Sequence, residues 1–416
     1  MRLHYLFSAS VCAIVFTAAE VHAEDWTQFL GTHRNGVSSE RNLIDEWPSD
    51  GPQIAWRSPL GVGMSSVIVS GGQAFTLFQD ESDLYAVAMN AATGKEIWRT
   101  KFAAAYENSM GNGPRSTPTV ADDKLFVFSG EGILAAFNVR DGKELWKVNV
   151  PSTLKGEVSE YGMSCSPVVV GNAVIVHTGN PDTAVAAFET KAGKNLWKSA
   201  TGKAGYSSPV LMTLAGKEQI VTLTADGAFG LEAADGKILW KFPFPTEYDC
   251  NTACPVQLGE SEVLISAGEN HGSAILQIAN NEQALSAEEV WSSYGKDSQL
   301  RAEWQTPVIH EGHLYGLDNS GSAGPITNLV CIRLKDRKTV WQKGRFGKSN
   351  LILADGKLFL TTMNGEIVIV EASPKEFKEL SRATIMETTR QAPTLSHGYL
   401  FVRDDKDVIC IDVRQK

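Results

Sequence analysis

Short runs rich in Val, Ile, Leu and Phe recur along the chain and end in turn residues: KLFVFSG from Lys124, AVIVHTG from Ala173, EVLISAGENHG from Glu262, KLFLTTMNG from Lys357 and YLFVRDD from Tyr399. Apolar runs of this length, bounded by Gly, Asn and Asp, predict β-strands. No apolar stripe of helical period is visible. Each strand group follows a Pro-Val-like start, as in STPTV at Ser116, CSPVVV at Cys165, SSPVLM at Ser207, ACPVQL at Ala253, QTPVIH at Gln305 and QAPTLS at Gln391. Each group closes on an eleven-residue motif: AMNAATGKEIW (88–98), AFNVRDGKELW (136–146), AFETKAGKNLW (187–197), GLEAADGKILW (230–240) and CIRLKDRKTVW (331–341).

The steps between the closing tryptophans are 48 residues from Trp98 to Trp146, then 51 to Trp197, 43 to Trp240, 51 to Trp291 and 50 to Trp341. A fixed period in this range marks a repeat architecture. Four antiparallel strands per period make a propeller blade. The glycine of each Gly-Lys pair suits the positive-φ place of a hairpin turn, and each tryptophan is expected to lie flat between neighbouring blades. Six blades end at Trp98, Trp146, Trp197, Trp240, Trp291 and Trp341. A seventh, EIVIVEASPKEFKEL, is read with Leu380 in the tryptophan place. The eighth is split: residues 390–416 supply inner strands and stop before any tryptophan, while GPQIAWRSPL (51–60) supplies Trp56 with no strands before it. The prediction is therefore an all-β, eight-bladed β-propeller over residues 50–416, its last blade closed by an N-terminal strand so that no sheet edge is left open. Residues 24–49 form an extension with no repeat pattern, and a closed ring of this kind is expected to be a monomer.

The start of the chain changes where this propeller is expected to work. Arg2 and His4 precede an apolar run from Leu6 to Ala19, and Val21-His22-Ala23 has the small-residue spacing of a signal-peptidase site, so residues 1–23 read as a signal peptide and the product as periplasmic or secreted. The run is too short to span a bilayer, and Ala-Ser-Val before Cys12 is a poor lipid-attachment sequence. A net charge of −10 with scattered Lys and Arg argues against nucleic acid and anionic membrane as partners. Of the cysteines after residue 23, Cys250 and Cys254 are near enough in sequence to form a disulfide or to stay free, and Cys165, Cys331 and Cys410 read as buried thiols. No Cys-x-x-Cys-His, Ser-His-Asp, His-Glu-x-x-His or phosphate-loop pattern is present.

The motif Ala-x-Asp-x-x-Thr-Gly-Lys-x-x-Trp resembles the tryptophan-docking motif of the pyrroloquinoline quinone (PQQ) repeat family, with Asn90 in the Asp place of 88–98. The opening DWTQFLGTHRNGVSSE (25–40) is similar to that of secreted PQQ-like propellers of planctomycetes. The resemblance covers nearly all of the chain after residue 23 and implies the fold. It leaves two activities open. Quinoprotein dehydrogenases of the family hold PQQ and calcium above the channel and oxidise alcohols or sugars; the propeller lipoprotein of the outer-membrane barrel assembly machinery binds proteins and carries no cofactor. This chain lacks the adjacent cysteine pair that quinoprotein alcohol dehydrogenases place beside the quinone, and its connections are short. The expectation is a binding or scaffold module without cofactor, with a PQQ-dependent dehydrogenase as the alternative.

In such blades the segments before each inner strand converge on one mouth of the channel, opposite the Gly-Lys turns. They supply Arg115, Tyr161, Tyr206, Asn251, Glu303, Trp304, Lys348, Asn350 and Arg390 as candidate ligand- or partner-binding residues. Aromatic faces and guanidinium groups are what a planar polycarboxylate needs. Against that, Trp304 fits simple packing over the rim, and Arg115 and Arg390 fit salt bridges to Glu303 or Glu107. The loops between second and third strands offer Glu269, Asn270 and Asp318 as hard oxygen donors for calcium, although solvated turns account for them better and no calcium-loop pattern surrounds them.

Overall fold

The computed structural model describes residues 24–281, 284–321 and 326–415; the signal peptide expected over 1–23, with Cys12, lies outside the described residues. The strands form eight four-stranded antiparallel sheets, each built from consecutive strands except the last. Blade 1 comprises Ile68–Ser70, Gln73–Gln79, Asp83–Asn90 and Glu96–Ala104. Blade 8 takes Thr394–Ser396, Tyr399–Arg403 and Asp407–Asp412 from the end of the chain and completes itself with Gln53–Pro59, which sets Trp56 opposite Cys410. The ring is thus closed by the N-terminal strand, as the split repeat predicts. Arg403 reinforces the closure: it is fully buried and donates to Leu77 O at 2.6 Å and Gly61 O at 2.8 Å, linking blade 8 to blade 1. Among the described residues helix is confined to the five-residue α-helix Val150–Leu154, capped by Asn149 Oδ1, and two single turns of 3₁₀ helix. No helix among the described residues is long and apolar enough to cross a membrane.

The eleven-residue motif has a packing explanation at each of its fixed positions. In the third strand, Ala88, Ala136 and Ala187 stand opposite Trp98, Trp146 and Trp197, and all three alanines are wholly buried. A larger side chain there would occupy the space of the indole. In the fourth strand the register slips by one residue just before the tryptophan, at Ile97, Leu145 and Leu196. These bulges twist the outermost strand and blunt its free edge. Each indole then crosses to the next blade. Trp56, Trp98, Trp146, Trp197 and Trp341 donate through Nε1 to the carbonyls of Ala91, Val139, Thr190, Ala233 and Ser373.

Two tryptophans depart from this pattern. Trp240 turns its Nε1–H back to Gln219 Oε1 of its own blade. Trp291 remains half-buried, and the next blade carries Arg337, also at positive φ, in the glycine place. That arginine reaches back to Glu262 Oε1 of blade 5 at 2.6 Å, so an ion pair joins blade 6 to blade 5.

Blade 7 corrects the sequence reading. Ile369 pairs with Ser381 and Val370 with Glu379, so Leu380 is the bulge residue, equivalent to Ile97, and Ser381 stands in the tryptophan place. A tryptophan nevertheless reaches this blade from outside the repeat. Trp47 of the N-terminal extension donates its backbone N–H to Ser381 Oγ at 3.0 Å and is buried in the same cluster as Ile369, with Leu380 packed against it.

The rest of the extension is a strap across the channel on the side of the Gly-Lys turns. Trp26 bridges to Val69 in blade 1 and Thr27 O accepts from Val120 N in blade 2. Arg34, fully buried, donates to Pro167 O at 2.7 Å and Ser166 O at 2.8 Å in blade 3. Val37 bridges to Leu353 in blade 7 and Leu43 to Arg414 beyond blade 8. The channel is therefore floored by the chain itself.

Candidate functional site

The strap and the inner strands enclose a cavity of about 550 Å³ at the opposite mouth, with Phe29 of the strap among its lining residues. Eight of the nine candidate mouth residues line it: Arg115, Tyr161, Tyr206, Glu303, Trp304, Lys348, Asn350 and Arg390. Asn251 does not. It is wholly buried, with Nδ2 donating to Thr224 O at 2.7 Å and its carbonyl accepting from Tyr206 N and Ser207 N, so it fastens blade 4 to blade 5.

Both arginines at the mouth are held by backbone carbonyls and rings, and Lys348 by a ring and a carboxylate. Arg115 donates to Gly111 O at 2.7 Å, Gly113 O at 2.8 Å and Tyr161 O, and lies 4.7 Å from the centroid of Tyr106. Burial lowers its pKa from the ordinary arginine value. Arg390 donates to Met110 O. The salt bridges to Glu303 or Glu107 considered from the sequence are absent for both arginines, because the loop carbonyls of 110–113 come closer. Trp304 carries two cations over its ring, Lys348 Nζ at 4.0 Å and Arg390 Cζ at 5.5 Å from the centroid. Lys348 also bonds Glu303 Oε1 at 2.9 Å. Burial raises the Glu303 carboxyl above its usual range, an effect Lys348 partly offsets. Its second oxygen is buried without a hydrogen-bond partner. Across the cavity Tyr161 and Tyr206 pack at 5.7 Å between centroids, and burial drives the Tyr206 phenol pKa up.

The remaining sequence candidates separate. Glu269 lines the mouth. Asn270 Oδ1 accepts from Gly321 N at 2.8 Å. Asp318 is committed to a buried ion pair, with Oδ1 bonded to Arg301 Nε and Oδ2 to Arg301 Nη2, both at 2.7 Å. Among the described residues no group of three His, Cys, Asp or Glu side chains is gathered as a metal site. A Cys250–Cys254 disulfide is not formed; all five described cysteines are free thiols. Cys250 faces the cavity, whereas Cys254, its N–H tied to Thr306 Oγ1 as the inner strand begins, is buried in the core with Ala267 and Leu30. Burial pushes the Cys250 thiol up to about 11, so it stays protonated and weakly nucleophilic at neutral pH. Cys165, Cys331 and Cys410 are buried as expected.

The sequence reading missed what lies beneath the charged rim. Hydroxyls from the Pro-Val starts form a belt that joins blade to blade: Ser66 N donates to Thr117 Oγ1 at 3.1 Å, Thr117 N to Ser166 Oγ at 2.9 Å, Ser166 N to Ser208 Oγ at 2.8 Å, and Cys254 N to Thr306 Oγ1 at 3.1 Å. The Ser or Thr before the proline in four of the six starts, at Thr117, Ser166, Ser208 and Thr306, was the available signal. Met64, Met110 and Tyr248 also line the mouth, and nothing in the repeat pattern marks them.

Comparison with known proteins separates fold from activity. Residues 81–343 match the family described as outer membrane protein assembly factor BamB. The chain belongs to this family. The BamB of Shewanella oneidensis is 22% identical over 374 residues, covering 85% of this chain and 76% of that protein. Among solved structures, BamB from Moraxella catarrhalis superposes with a TM-score of 0.59 at 14% identity, over 87% of this chain and 99% of that one. Quinohemoprotein alcohol dehydrogenase from Comamonas testosteroni gives a TM-score of 0.69, also at 14% identity, over 96% of this chain and 82% of that one. At such identities the two superpositions speak for the shared PQQ-like propeller alone.

The donor set at the mouth does not fit a polycarboxylated quinone. Three donor atoms of Arg115 are spent on backbone carbonyls. Lys348 and Arg390 already occupy the ring of Trp304 on which a quinone would stack. The carboxylates of Glu269 and Glu303 would face its own.

Proposed function

We propose that this chain is an exported propeller that works as a binding module, as a monomer and without a cofactor, and that it captures a protein partner at the channel mouth. The family assignment supports a protein-binding role, since the relatives' name is that of an assembly factor. The observation that carries the reading to this site is the state of the mouth: a concave, aromatic-walled cavity whose cations are fixed by carbonyls, rings and the Glu303 carboxylate. Aromatic and Arg side chains held in place beforehand are typical anchors of protein recognition, because little freedom is lost on binding. Thiol chemistry would need an activated nucleophile, and the Cys250 thiol at the mouth is held in its protonated, weakly nucleophilic form.

The test compares this reading with a dehydrogenase on one preparation. Mature protein is incubated with PQQ and calcium, then assayed for dye reduction over alcohols and sugars, while the same preparation is used to capture partners from native periplasm. Binding without turnover is expected, with capture lost in Trp304→Ala and Arg390→Ala. Quinone-dependent turnover, or undiminished capture by both variants, would overturn it.

A further inference from the structure

The strap covers only part of the inner edge of the ring. In blade 1 the inner strand turns into its neighbour with Ser70 opposite Gln73 and Val69 opposite Ala74. In this register the pair nearest the two-residue turn exchanges hydrogen bonds, and the next residue directs both its N–H and its C=O away from the sheet, into the channel. The strap uses those groups. Trp26 and Val69 exchange two backbone hydrogen bonds at 2.9 Å, Val120 N donates to Thr27 O at 2.9 Å, and Leu353 N donates to Gly36 O at 2.8 Å while Leu353 O accepts from Ser38 N at 2.8 Å.

The same register recurs in three further blades. Val169 stands opposite Val174 in blade 3, Thr213 opposite Glu218 in blade 4 and Ile309 opposite Leu314 in blade 6. Here the strap makes no bridge: among the described residues neither Val169 nor Ile309 has a backbone partner outside its own sheet, and Thr213 O accepts only from Gln257 Nε2, at 2.7 Å. All three line a second cavity of about 680 Å³ on the strap side, walled by half-buried Leu211 and Leu258 and by Val37 of the strap.

We propose that this basin receives an extended segment of a partner polypeptide, which bonds the bare backbone groups of blades 3 and 6 and the Thr213 N–H of blade 4, as the strap bonds those of blades 1, 2 and 7. A polypeptide is the occupant because the basin offers outward backbone donors and acceptors between apolar Val37, Leu211 and Leu258 and polar Gln28, His33 and Glu218, and its continuation along the same ring is filled by polypeptide bonding in this way. The site lies on the face opposite the mouth and stands independently of the function proposed above.

Amide exchange at single-residue resolution and a synthetic probe test it. In the free protein the amides of Val169 and Ile309 are expected to exchange faster than those of Val69 and Leu353. The probe is a capped decapeptide of alternating Val and Thr with a Lys at each end. It should bind saturably, protect Val169, Thr213 and Ile309, and bind at least about tenfold more weakly when alternate amides are N-methylated, since the backbone bonds are then lost. Leu211→Arg, at a half-exposed wall position, should abolish binding, and Arg390→Ala at the mouth should leave it unchanged. Equal exchange at the two sets of amides in the free protein, no saturable binding at millimolar peptide, or equal binding of the N-methylated probe would overturn the proposal.

Discussion

The indole of Trp98 lies flat against Gly142 of the next blade: a Cβ built on that glycine would come within 2.5 Å of both Cδ2 and Cε3 of the ring. The glycine also has φ of 69°, so one residue satisfies the turn and leaves room for the neighbouring tryptophan. Gly142→Ala is expected to destabilise the ring by about 1–3 kcal/mol through overpacking, before any backbone strain is counted. Denaturant unfolding of the variant checks this, and an unchanged midpoint would refute the fastener role of the glycine.

The fasteners should differ in strength. Trp146 is 8% exposed and bonds the next blade at Thr190 O, so Trp146→Ala is expected to cost ~3–5 kcal/mol. Trp291 is half-buried, and the glycine place of the next blade is held by Arg337, so Trp291→Ala should cost less than half as much. Paired unfolding curves compare the two directly.

Closure depends on the N-terminal segment. Deleting residues 25–59 removes the strap and the strand that pairs with Asp407–Asp412, which exposes an unpaired edge. The truncated protein should aggregate or unfold without cooperativity in light-scattering and thermal melts. A monomer with an unchanged melting temperature would contradict the closure described.

Acid should destabilise the protein through His177. Its ring is fully buried between Gly205 O and Thr222 Oγ1, and burial lowers its pKa to about 4. The unfolded chain takes up the proton near pH 6.5 while the folded ring does not, so the stability is fully present above that pH. It is lost progressively as pH falls toward 4, to the extent of roughly 3 kcal/mol. His177→Gln should flatten that part of the stability profile measured by denaturant unfolding.

The ring was legible in the sequence because its repeats are nearly the same length and carry residues that only one geometry needs, a small residue opposite a large ring and a glycine beneath it. The place of Leu380 was misread because a bulge precedes each tryptophan: Leu380 aligns with Ile97 and Leu145, and the residue after it is a serine. The strap was invisible because it belongs to no repeat and its contacts are remote in sequence, as between Arg34 and Pro167. At the mouth the sequence gathered eight of its nine candidates around one cavity, since the order of strands alone decides that face, while Asn251 went to the joint between blades 4 and 5. It could not show that Arg115 is spent on loop carbonyls, which depends on the path of 110–113.

That path alters one expectation for the rim. Arg115→Ala removes bonds to Gly111, Gly113 and Tyr161, so it should lower stability by about 1–3 kcal/mol as well as weaken capture. Arg390→Ala and Trp304→Ala should weaken capture with smaller losses, read from thermal melts beside the capture assay.

The central claim is that the mouth receives a protein, and site-directed photo-crosslinking in the native compartment tests it most directly. Tyr248 lines the mouth and is 59% exposed, while Ile97 on the outer rim is 44% exposed, so a crosslinker fits at either position without disturbing the core. A discrete protein adduct from position 248, lost when Trp304→Ala is added and absent from position 97, is the predicted result. Adducts from position 97 alone, or an adduct from 248 indifferent to Trp304, would contradict it.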